Sequence, residues 1–597
     1  MANLIGVVGS TLESRRQFVA SLEQDLKTFP WLERGGTAFG DGEIAWAVPP
    51  AAPVAVSTSG EGRTTAVLGS LYRNRTDGVD DAEWIEQQIQ GGNPAAVSGQ
   101  NGYYLAATAD PSGEVRVGAD LLGLFPVYYY STPDVLLFST SPGLFHLFPE
   151  VHAEMSIPGL VGILLTMHLT GGQTIWKGVR RLAAGHVLVW RRGEEAREVE
   201  VGTLQPSTRC FGESLQEHVL GFQNSLQRSV SRETEGREVS MLLSGGLDSR
   251  IVAGYLQRLR GGGVPACTFG DAGDHEMRCA AGVVRALGWR HERIPVELSR
   301  FPEYAWKQVE LEQLSNGNLD LSFFQSVGAL HGVRPFMMTG FWGDVVMGGS
   351  HVRWAYDPAR SDYTFDAMFA HINRFGFSPA IVSRLIAPDV LGTALEEVIG
   401  GLRDCFESSP GLPFQKSLMF DLAHRQRFYV GSYAWRLAFG SWPLLPYVDQ
   451  EVLRAAVGMP AATLLGRRAQ VDLIRREFPG LARLPLDRNS EDTSPLDPGV
   501  PWKISSAVER LAGRLGLRSR QERRFYYRVI DFHNAGWSAV RYEAEKFRGR
   551  AEAVLNHEVL RELLPSPDVP VRFDDGIIDS CGRKSLLGFL LWAGRYL

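Results

Sequence analysis

Residues 244–249 read Ser-Gly-Gly-Leu-Asp-Ser, the most informative motif in the chain. It follows an apolar run at 238–243, typical of a buried strand, and precedes a run at 247–259 with apolar residues at helical spacing. Two glycines at such a junction let backbone amides approach a phosphate closely, and the positive end of the helix points to the same place. The aspartate would repel a bare phosphate unless Mg²⁺ lay between them. The motif therefore predicts a nucleotide site with a metal ion.

Strand and helix patterns alternate around this motif. An amphipathic helix is predicted at 211–235, strands at 264–269 and 291–296, and a helix at 274–287. This alternation is typical of an α/β fold with a doubly wound parallel sheet.

Helical patterns dominate the rest of the chain. Beyond about residue 360 the strands give way to helical periodicity, interrupted at 443–446 and 485–501. The strongly apolar end at 585–597 is expected to be packed. We therefore expect a second domain over 206–597 with a helical C-terminal extension.

The N-terminal part is expected to be a β-rich domain over 1–205. Short apolar runs separated by Gly, Pro and Asp predict strands there. The candidates are the opening run, 102–107, 114–119, 127–130, 135–139 and 187–190.

Composition excludes several classes of protein. The 597 residues are 44% hydrophobic and 21% charged, which is ordinary for globular domains, and exceed the length of one domain. The net charge of −6 argues against binding nucleic acid through bulk charge. The opening lacks a basic region, and the longest apolar stretch, 160–167, is too short to cross a bilayer. Five separated cysteines without a CxxC pair suit a reducing cytoplasm, the expected location.

The motif is neither a Walker P-loop nor a dinucleotide fingerprint, because GxxxxGK[ST] is absent and the glycine spacing differs from GxGxxG. A plain strand-to-helix turn, with Ser244 or Asp248 capping the helix, is the alternative. SGGLDS resembles the pyrophosphate loop of asparagine-synthetase-like ATP pyrophosphatases, which activate a carboxylate as an acyl-adenylate for attack by an amine. The runs 268–291, 339–349 and 446–460 are similar to later parts of that family.

The resemblance implies roles for particular residues. Asp248 and Asp344 would share Mg²⁺ and serve catalysis, and Gly340 would let the chain pass close to the ribose and α-phosphate of ATP. Leu243 and Thr268 would offer backbone atoms to adenine. Glu276 has two equally good interpretations: it takes part in the site, or it only stabilises the N-terminus of the predicted helix. The residues that would cradle the phosphates are Ser244, Gly245, Gly246, Asp248 and Ser249.

A second resemblance covers the N-terminal part. Residues 120–129 and 137–139 look like a strand pair in the glutamine-hydrolysing half of asparagine synthetases, which implies an Ntn-type α+β sandwich. That half needs a cysteine directly after Met1 as nucleophile. Residue 2 is Ala, and Cys210 is the first cysteine, so we expect this domain to be an inactive glutaminase-like one.

Without an ammonia supply, the attacking amine must come from the substrate. The family contains two such groups, β-lactam synthetases and the cyclases that close the macrolactam ring of lasso peptides. β-Lactam synthetases have a tyrosine where this chain has Phe341 and a lysine where 466–476 has none. Arg467, Arg468 or Arg475 could stabilise charge there, but arginine cannot act as an acid or base.

The lasso peptide cyclases fit best. The resemblance to these cyclases implies ATP and Mg²⁺ as cofactors and a precursor peptide as substrate. It is also compatible with a leader-binding protein and a leader peptidase as partners. A stand-alone amide ligase of a polysaccharide or secondary-metabolite pathway shares the same motifs, and a catalytically dead scaffold would keep the fold. The basic stretch at 514–528 is the only support for RNA binding, and a solvated helical face explains it better. We expect neither nucleic acid nor membrane as a partner.

Overall fold

The computed structural model describes most of the chain. Residue 2, on which the glutaminase prediction depends, and 514–523 of the basic stretch lie outside the described residues. The described ranges are 3–73, 78–148, 151, 154–317, 319–349, 352–488, 492–500, 502–504, 508 and 524–597.

The N-terminal part contains two antiparallel sheets. Their described strands are β1 (Leu4–Val8), β2 (Glu33–Phe39), β3 (Gly42–Val48), β4 (Val54–Thr58), β5 (Thr64–Leu71), β6 (Gly102–Ala109), β7 (Glu114–Ala119), β8 (Tyr128–Ser131), β9 (Leu136–Ser139), β10 (Arg180–Arg181), β11 (His186–Arg191) and β12 (Arg197–Glu200). One sheet has the order β10-β8-β9-β1-β3-β2, and the other has the order β12-β11-β7-β6-β5-β4. The strands predicted in this region are confirmed, with ends displaced by one or two residues.

Alternation along β5 and β6 places the second sheet between two apolar layers, because successive side chains point to opposite faces. Leu68 and Leu105 join the main core, which also contains side chains of the first sheet. Val67 and Tyr104 pack on the other face with residues of a helix at Asp81–Gln90. This arrangement is the α+β sandwich expected for the N-terminal part.

A third, parallel sheet follows. Its described strands are β13 (Val239–Leu242), β14 (Pro265–Phe269), β15 (Arg290–Ile294), β16 (Phe336–Met338) and β17 (Trp442–Leu444). They are hydrogen-bonded in the order β15-β14-β13-β16-β17, and every neighbouring pair is parallel. The doubly wound order is therefore confirmed for this part of the chain.

The last strand corrects the sequence analysis, which expected only helices with an interruption at 443–446. Trp442–Leu444 is instead a strand at the edge of the parallel sheet. Three residues are too few to show a period of two, and Pro443 lacks a backbone donor, which an edge strand tolerates.

Helices surround the sheets. The described ones are α1 (Leu12–Ala20), α2 (Glu23–Thr28), α3 (Asp81–Gln90), α4 (Ile157–Thr166), α5 (Leu215–Thr234), α6 (Leu247–Arg260), α7 (His275–Leu287), α8 (Phe301–Glu312), α9 (Leu321–His331), α10 (Gly343–Val346), α11 (Phe365–Asn373), α12 (Pro379–Leu385), α13 (Pro388–Leu391), α14 (Ala394–Ser408), α15 (Pro413–Asp421), α16 (Gly431–Leu437), α17 (Gln450–Val457), α18 (Ala461–Leu464), α19 (Arg468–Glu477), α20 (Pro479–Ala482), α21 (Phe525–Ile530), α22 (Ala535–Glu545), α23 (Arg548–Ala551), α24 (His557–Leu563) and α25 (Ile578–Tyr596). A π-helical segment, Leu422–Val430, joins α15 to α16.

The apolar C-terminal helix α25 is packed, as predicted. Trp592 is fully buried, and its indole N–H donates to Gln313 at 2.7 Å. Trp176 of the N-terminal part donates to the same Gln313 oxygen at 3.2 Å, so α25 is joined to both parts of the chain. The main core likewise continues from β1 to α25, and the domain division at residue 205 stays a prediction. Among the described helices, none combines the length and apolar character of a membrane span.

A buried glutamate joins α5 to the edge of the parallel sheet. Glu233 is 1% exposed, and one of its oxygens accepts hydrogen bonds from the Leu445 amide at 2.6 Å and the Tyr72 hydroxyl at 3.2 Å. Its other oxygen accepts from Ser229 at 3.1 Å. Burial, reinforced by the charge of Asp449, raises the pKa of Glu233 from 4.5 to about 8.

This pKa predicts how stability depends on pH. Between about pH 4.5 and 8 the folded state keeps a proton on Glu233 that the unfolded state loses, so the free energy of unfolding falls as pH rises, by on the order of 5 kcal/mol from this group. Glu233→Gln cannot ionise and should lose less stability than wild type in urea titrations between pH 5 and 9. Glu235→Gln, an exposed neighbour, is the control. The same pH dependence in Glu233→Gln and wild type would contradict the prediction.

Candidate nucleotide site

The candidate site lies at the carboxyl edge of the parallel sheet. Strand β13 is central, with β14 on one side and β16 on the other. The connections that leave β13 and β16 therefore diverge to opposite sides, which opens a crevice between their loops. The first loop carries the SGGLDS motif, and the second carries residues 339–344, which belong to the run 339–349 that is similar to a later part of the asparagine-synthetase-like family.

Hydroxyl groups fix the shape of the first loop. The Ser244 and Ser249 side-chain oxygens lie 2.9 Å apart, and the Ser249 hydroxyl also lies 3.1 Å from the Ser244 carbonyl oxygen. The Gly246 amide donates to the Ser244 hydroxyl at 3.2 Å. Helix α6 starts at Leu247, and no side chain caps its first amides. A helix of this length with an uncapped N-terminus is suited to an anion such as phosphate.

Gly245 is required by close packing behind the loop. A Cβ there would lie 2.4 Å from Cys279 Cβ. The Gly245 carbonyl accepts hydrogen bonds from the Arg250 guanidinium at 2.9 Å and from the Asp487 amide at 3.0 Å. Arg250 is fully buried and also donates to the Leu481 carbonyl at 2.9 Å. The arginine of the SGGLDSR sequence therefore holds the loop against the chain near 481–487.

The second loop touches the first at two glycines. A Cβ on Gly340 would lie 2.5 Å from the backbone nitrogen of Ser249. One on Gly343 would lie 2.5 Å from Oδ1 of Asp248. Trp342, between them, is buried and has a left-handed backbone with φ of 66°. The two loops thus pack directly against each other around Asp248.

The two predicted metal ligands, Asp248 and Asp344, face the same region. Oδ1 of Asp248 accepts a hydrogen bond from Gln470 at 2.8 Å and forms an ion pair with Arg467. Burial raises the pKa of Asp248 to about 6, with the nearby charge of Asp344 adding to the rise and Arg467 opposing it. Asp344 is half-buried in the first turn of α10.

These carboxylates fit a Mg²⁺ ion that also binds phosphate. Among the described residues, the side chains that hydrogen-bond Asp248 do so at Oδ1, and no side chain hydrogen-bonds the carboxylate of Asp344. No group of three or more His, Cys, Asp or Glu side chains among the described residues could hold a metal ion by itself. Mg²⁺ is commonly bound by one or two carboxylates together with phosphate oxygens. The donor set therefore suits a metal that arrives with a nucleotide.

Leu243, directly after β13, lies beside Thr268 of β14. The Thr268 hydroxyl donates to the Leu243 carbonyl at 2.8 Å and lies 3.0 Å from a ring nitrogen of His291. The Leu243 amide donates to the Cys267 carbonyl at 2.9 Å. The structure thus brings the two residues together beside the first loop, and their contact with adenine stays a prediction.

Glu276 has a structural partner. Its carboxylate accepts a hydrogen bond from the Phe525 amide at 2.9 Å. Arg528 of the same helix, α21, lies 2.7 Å from the carboxylate of Asp274, which precedes α7. These contacts dock α21 on the start of α7, so Arg528 of the basic stretch is held within the protein.

Arg467, Arg468 and Arg475, the three arginines predicted to stabilise charge, have different partners. Arg467 pairs with Asp248, and its Nε also donates to Gln470 at 2.7 Å. Arg468 donates to the Ala462 carbonyl at 3.3 Å, and Arg475 donates to Asp497 at 2.9 Å. Of the three, the structure brings only Arg467 to the candidate metal ligands.

Sequence reasoning missed two neighbours of Asp248. Gln470 bonds its carboxylate, and the Tyr447 hydroxyl donates to its backbone carbonyl at 3.2 Å. Tyr447 lies in the 446–460 run that resembled the family, which could have drawn attention to it. Phe341, which lacks the hydroxyl of β-lactam synthetases, packs near Tyr433 with ring centroids 6.4 Å apart. The Tyr433 hydroxyl donates to Asp320 at 2.7 Å.

A family model described as asparagine synthase matches residues 221–411, a range that contains both loops. This segment is asparagine synthetase-like. The match supports an ATP-dependent, amide-forming ligase.

Other comparisons are more distant. No curated protein matches the chain. Among solved structures, the chain is similar to glutamine phosphoribosylpyrophosphate amidotransferase from B. subtilis, complexed with ADP and GMP, with 12% identity and a TM-score of 0.23 over 49% of this chain and 65% of that one. The chain thus spans less than two thirds of that enzyme. A structure of the allosteric regulatory enzyme of purine biosynthesis gives 13% identity and a TM-score of 0.21 over 59% of this chain and 76% of that one.

Proposed function

We propose that the protein is an ATP-dependent ligase that adenylates a carboxylate and joins it to an amine of the same substrate, closing the macrolactam ring of a lasso peptide precursor. One observation carries the ligase proposal. Two glycine-rich loops, each with an aspartate, pack against each other at the carboxyl edge of adjacent parallel strands. The asparagine synthase match over the same residues supports it.

In the first step, a substrate carboxylate oxygen attacks the α-phosphorus of ATP. The bond from the α-phosphorus to the bridging oxygen breaks, and pyrophosphate leaves with that oxygen. The uncapped amides of α6 and the Ser244 hydroxyl would hold the phosphates. Asp248 and Asp344 would hold Mg²⁺, which when bound offsets negative charge on pyrophosphate.

In the second step, the substrate amine attacks the acyl carbon, AMP leaves, and the amine loses a proton to solvent. Holding both groups of one peptide in the crevice supplies the proximity that makes this attack fast. An internal amine is favoured because residues 1–205 contain no cysteine that could release ammonia from glutamine.

The paired site also argues against a dead scaffold. Asp248 has a raised pKa and Asp344 lies close enough to contribute to it, an arrangement that costs stability in a protein without a ligand. A scaffold that binds no ligand would be more stable without one of the two neighbouring carboxylates.

The test is to incubate the protein with Mg²⁺-ATP and a co-expressed precursor peptide. We expect AMP and pyrophosphate in equal amounts and a product lighter than the peptide by one water. ADP and phosphate would contradict adenylation, and no nucleotide turnover would favour a scaffold. AMP formation only with a separate amine donor would favour the stand-alone amide ligase.

A further inference from the structure

The π-helical segment Leu422–Val430 carries a buried arginine without a polar partner. Arg425 is 5% exposed, and its guanidinium lies 4.0 Å from the ring centroid of Phe375 and 4.5 Å from that of Tyr429. Its Nε is buried and has no hydrogen-bond partner. Among the described residues, no hydrogen bond or ion pair to its other nitrogens is found. π-Helical turns are frequently found at functional sites, and buried charges are normally paired.

Two other buried arginines nearby show the ordinary arrangement. The Arg427 Nε donates to the Gly123 carbonyl at 3.0 Å. The Arg436 Nε lies 3.1 Å from a carboxylate oxygen of the buried Glu312. Arg425 differs from both, because aromatic rings surround it where a carboxylate or carbonyl would be expected.

More positive charge lies on the surface side of Arg425. Arg374 is exposed and lies over the same Phe375 ring at 4.6 Å. Arg353 is exposed as well, and Arg360 lies 4.4 Å from the centroid of Trp354. Burial and the charges of all four arginines lower the pKa of His371 to about 3. The cationic cluster, defined as Arg353, Arg360, Arg374 and Arg425, therefore extends from the surface to the interior.

The cationic cluster adjoins the nucleotide site. Tyr429, beside Arg425, has its ring centroid 5.1 Å from that of Tyr433, which neighbours Phe341 of the second loop. Burial raises the pKa of Asp421 to about 6, and it lies in the electric field of both Arg425 and Asp344. No ion pair joins Asp421 to Arg425 among the described residues, and its buried Oδ1 has no partner.

We infer that the cationic cluster binds a carboxylate of the substrate that is not the one activated, with Arg425 as its inner ligand and Arg374 as its outer ligand. This inference rests on the proposed function and narrows the substrate class to acidic molecules with at least two carboxylates. A planar guanidinium pairs with a carboxylate through two parallel hydrogen bonds, which would satisfy the unpartnered Nε.

The carboxylate that reacts must lie beside the α-phosphate, near Gly340 and Ser249. An ion pair with two arginines would also make it a weaker nucleophile. The carboxylate bound by the cationic cluster is therefore one that positions the substrate, and Arg425 is a positioning residue.

Arg425→Met tests the inference because it removes the charge and keeps most of the apolar stem. Without ligand, we expect the variant to melt close to wild type, since Arg425 has no hydrogen bond or ion pair to lose among the described residues. Arg436→Met, which leaves Glu312 unpaired, should melt clearly lower. Succinate, as a probe, should raise the melting temperature of wild type and of Arg425→Lys, and succinamide, its neutral diamide, should not. Arg425→Met should lose the succinate effect and keep its affinity for Mg²⁺-ATP within twofold.

Three results would overturn the inference. Arg425→Met could melt as low as Arg436→Met, which would make the guanidinium structural. Succinate could fail to stabilise wild type. Arg425→Met could lose affinity for Mg²⁺-ATP, which would assign the arginine to phosphate. Failure of the proposed function is distinguishable, because it would abolish AMP formation and leave the succinate result unchanged.

Discussion

Replacing Asp248 or Asp344 with Asn is expected to lower the rate of AMP formation about a thousandfold, because each variant removes one carboxylate from a shared metal site. A change of this size corresponds to ~4 kcal/mol of transition-state stabilisation. Folding should be little affected, since the asparagine oxygen at position 248 can still accept the hydrogen bonds of Arg467 and Gln470. The measurement is single-turnover AMP release, with thermal unfolding of each variant recorded alongside.

Asp366→Asn is the matched control. Its side chain is 79% exposed and pairs with Arg403, away from both loops. It should retain full activity. If Asp248→Asn or Asp344→Asn also released AMP at the wild-type rate, the metal assignment would be wrong.

Gly343→Ala is expected to reduce AMP formation about a hundredfold or more, although it adds only one methyl group. That methyl would lie 2.5 Å from Oδ1 and 2.7 Å from Cγ of Asp248, so the carboxylate would have to move. A displacement of about 1 Å at a reacting centre can cost two orders of magnitude in rate. The measurement is kcat for AMP formation at saturating Mg²⁺-ATP.

Gly400→Ala provides the comparison, because a Cβ at Gly400 in helix α14 meets nothing within 4 Å. Alanine at this helical position should preserve activity and stabilise the helix by about 1 kcal/mol. Equal activities in the two alanine variants would show that the contact between Gly343 and Asp248 does not matter for the reaction.

The parallel sheet could be predicted from sequence because its elements carry strong local signals. The apolar run before Ser244 and the helical spacing after Leu247 indicate β13 and α6 without tertiary information. Strand β17 could not be predicted, since three residues with a central proline carry no periodicity. Its position at the sheet edge is set by pairing with β16, which is distant in sequence.

In the candidate site, too, some residues have local sequence signals and others are determined by contacts distant in sequence. The two aspartates could be proposed from sequence because each follows glycines in a run that resembles the asparagine-synthetase-like family, and their binding of a metal ion stays a prediction. Arg467 and Gln470 reach Asp248 from more than 200 residues away, and only the packing of α19 on the sheet domain determines that contact. The sequence likewise does not indicate that Arg425 lacks a hydrogen-bond partner, because this depends on which side chains lie near it in the folded protein.

The paired aspartates are tested most directly by a crystal structure of the protein with Mg²⁺ and α,β-methylene-ATP, an analogue whose adenylyl group cannot be transferred to a substrate. We expect the triphosphate between the SGGLDS loop and residues 339–344, with Asp248 and Asp344 both coordinating Mg²⁺ on the phosphates. A nucleotide bound elsewhere, or phosphates in the crevice with neither aspartate near a metal ion, would contradict it.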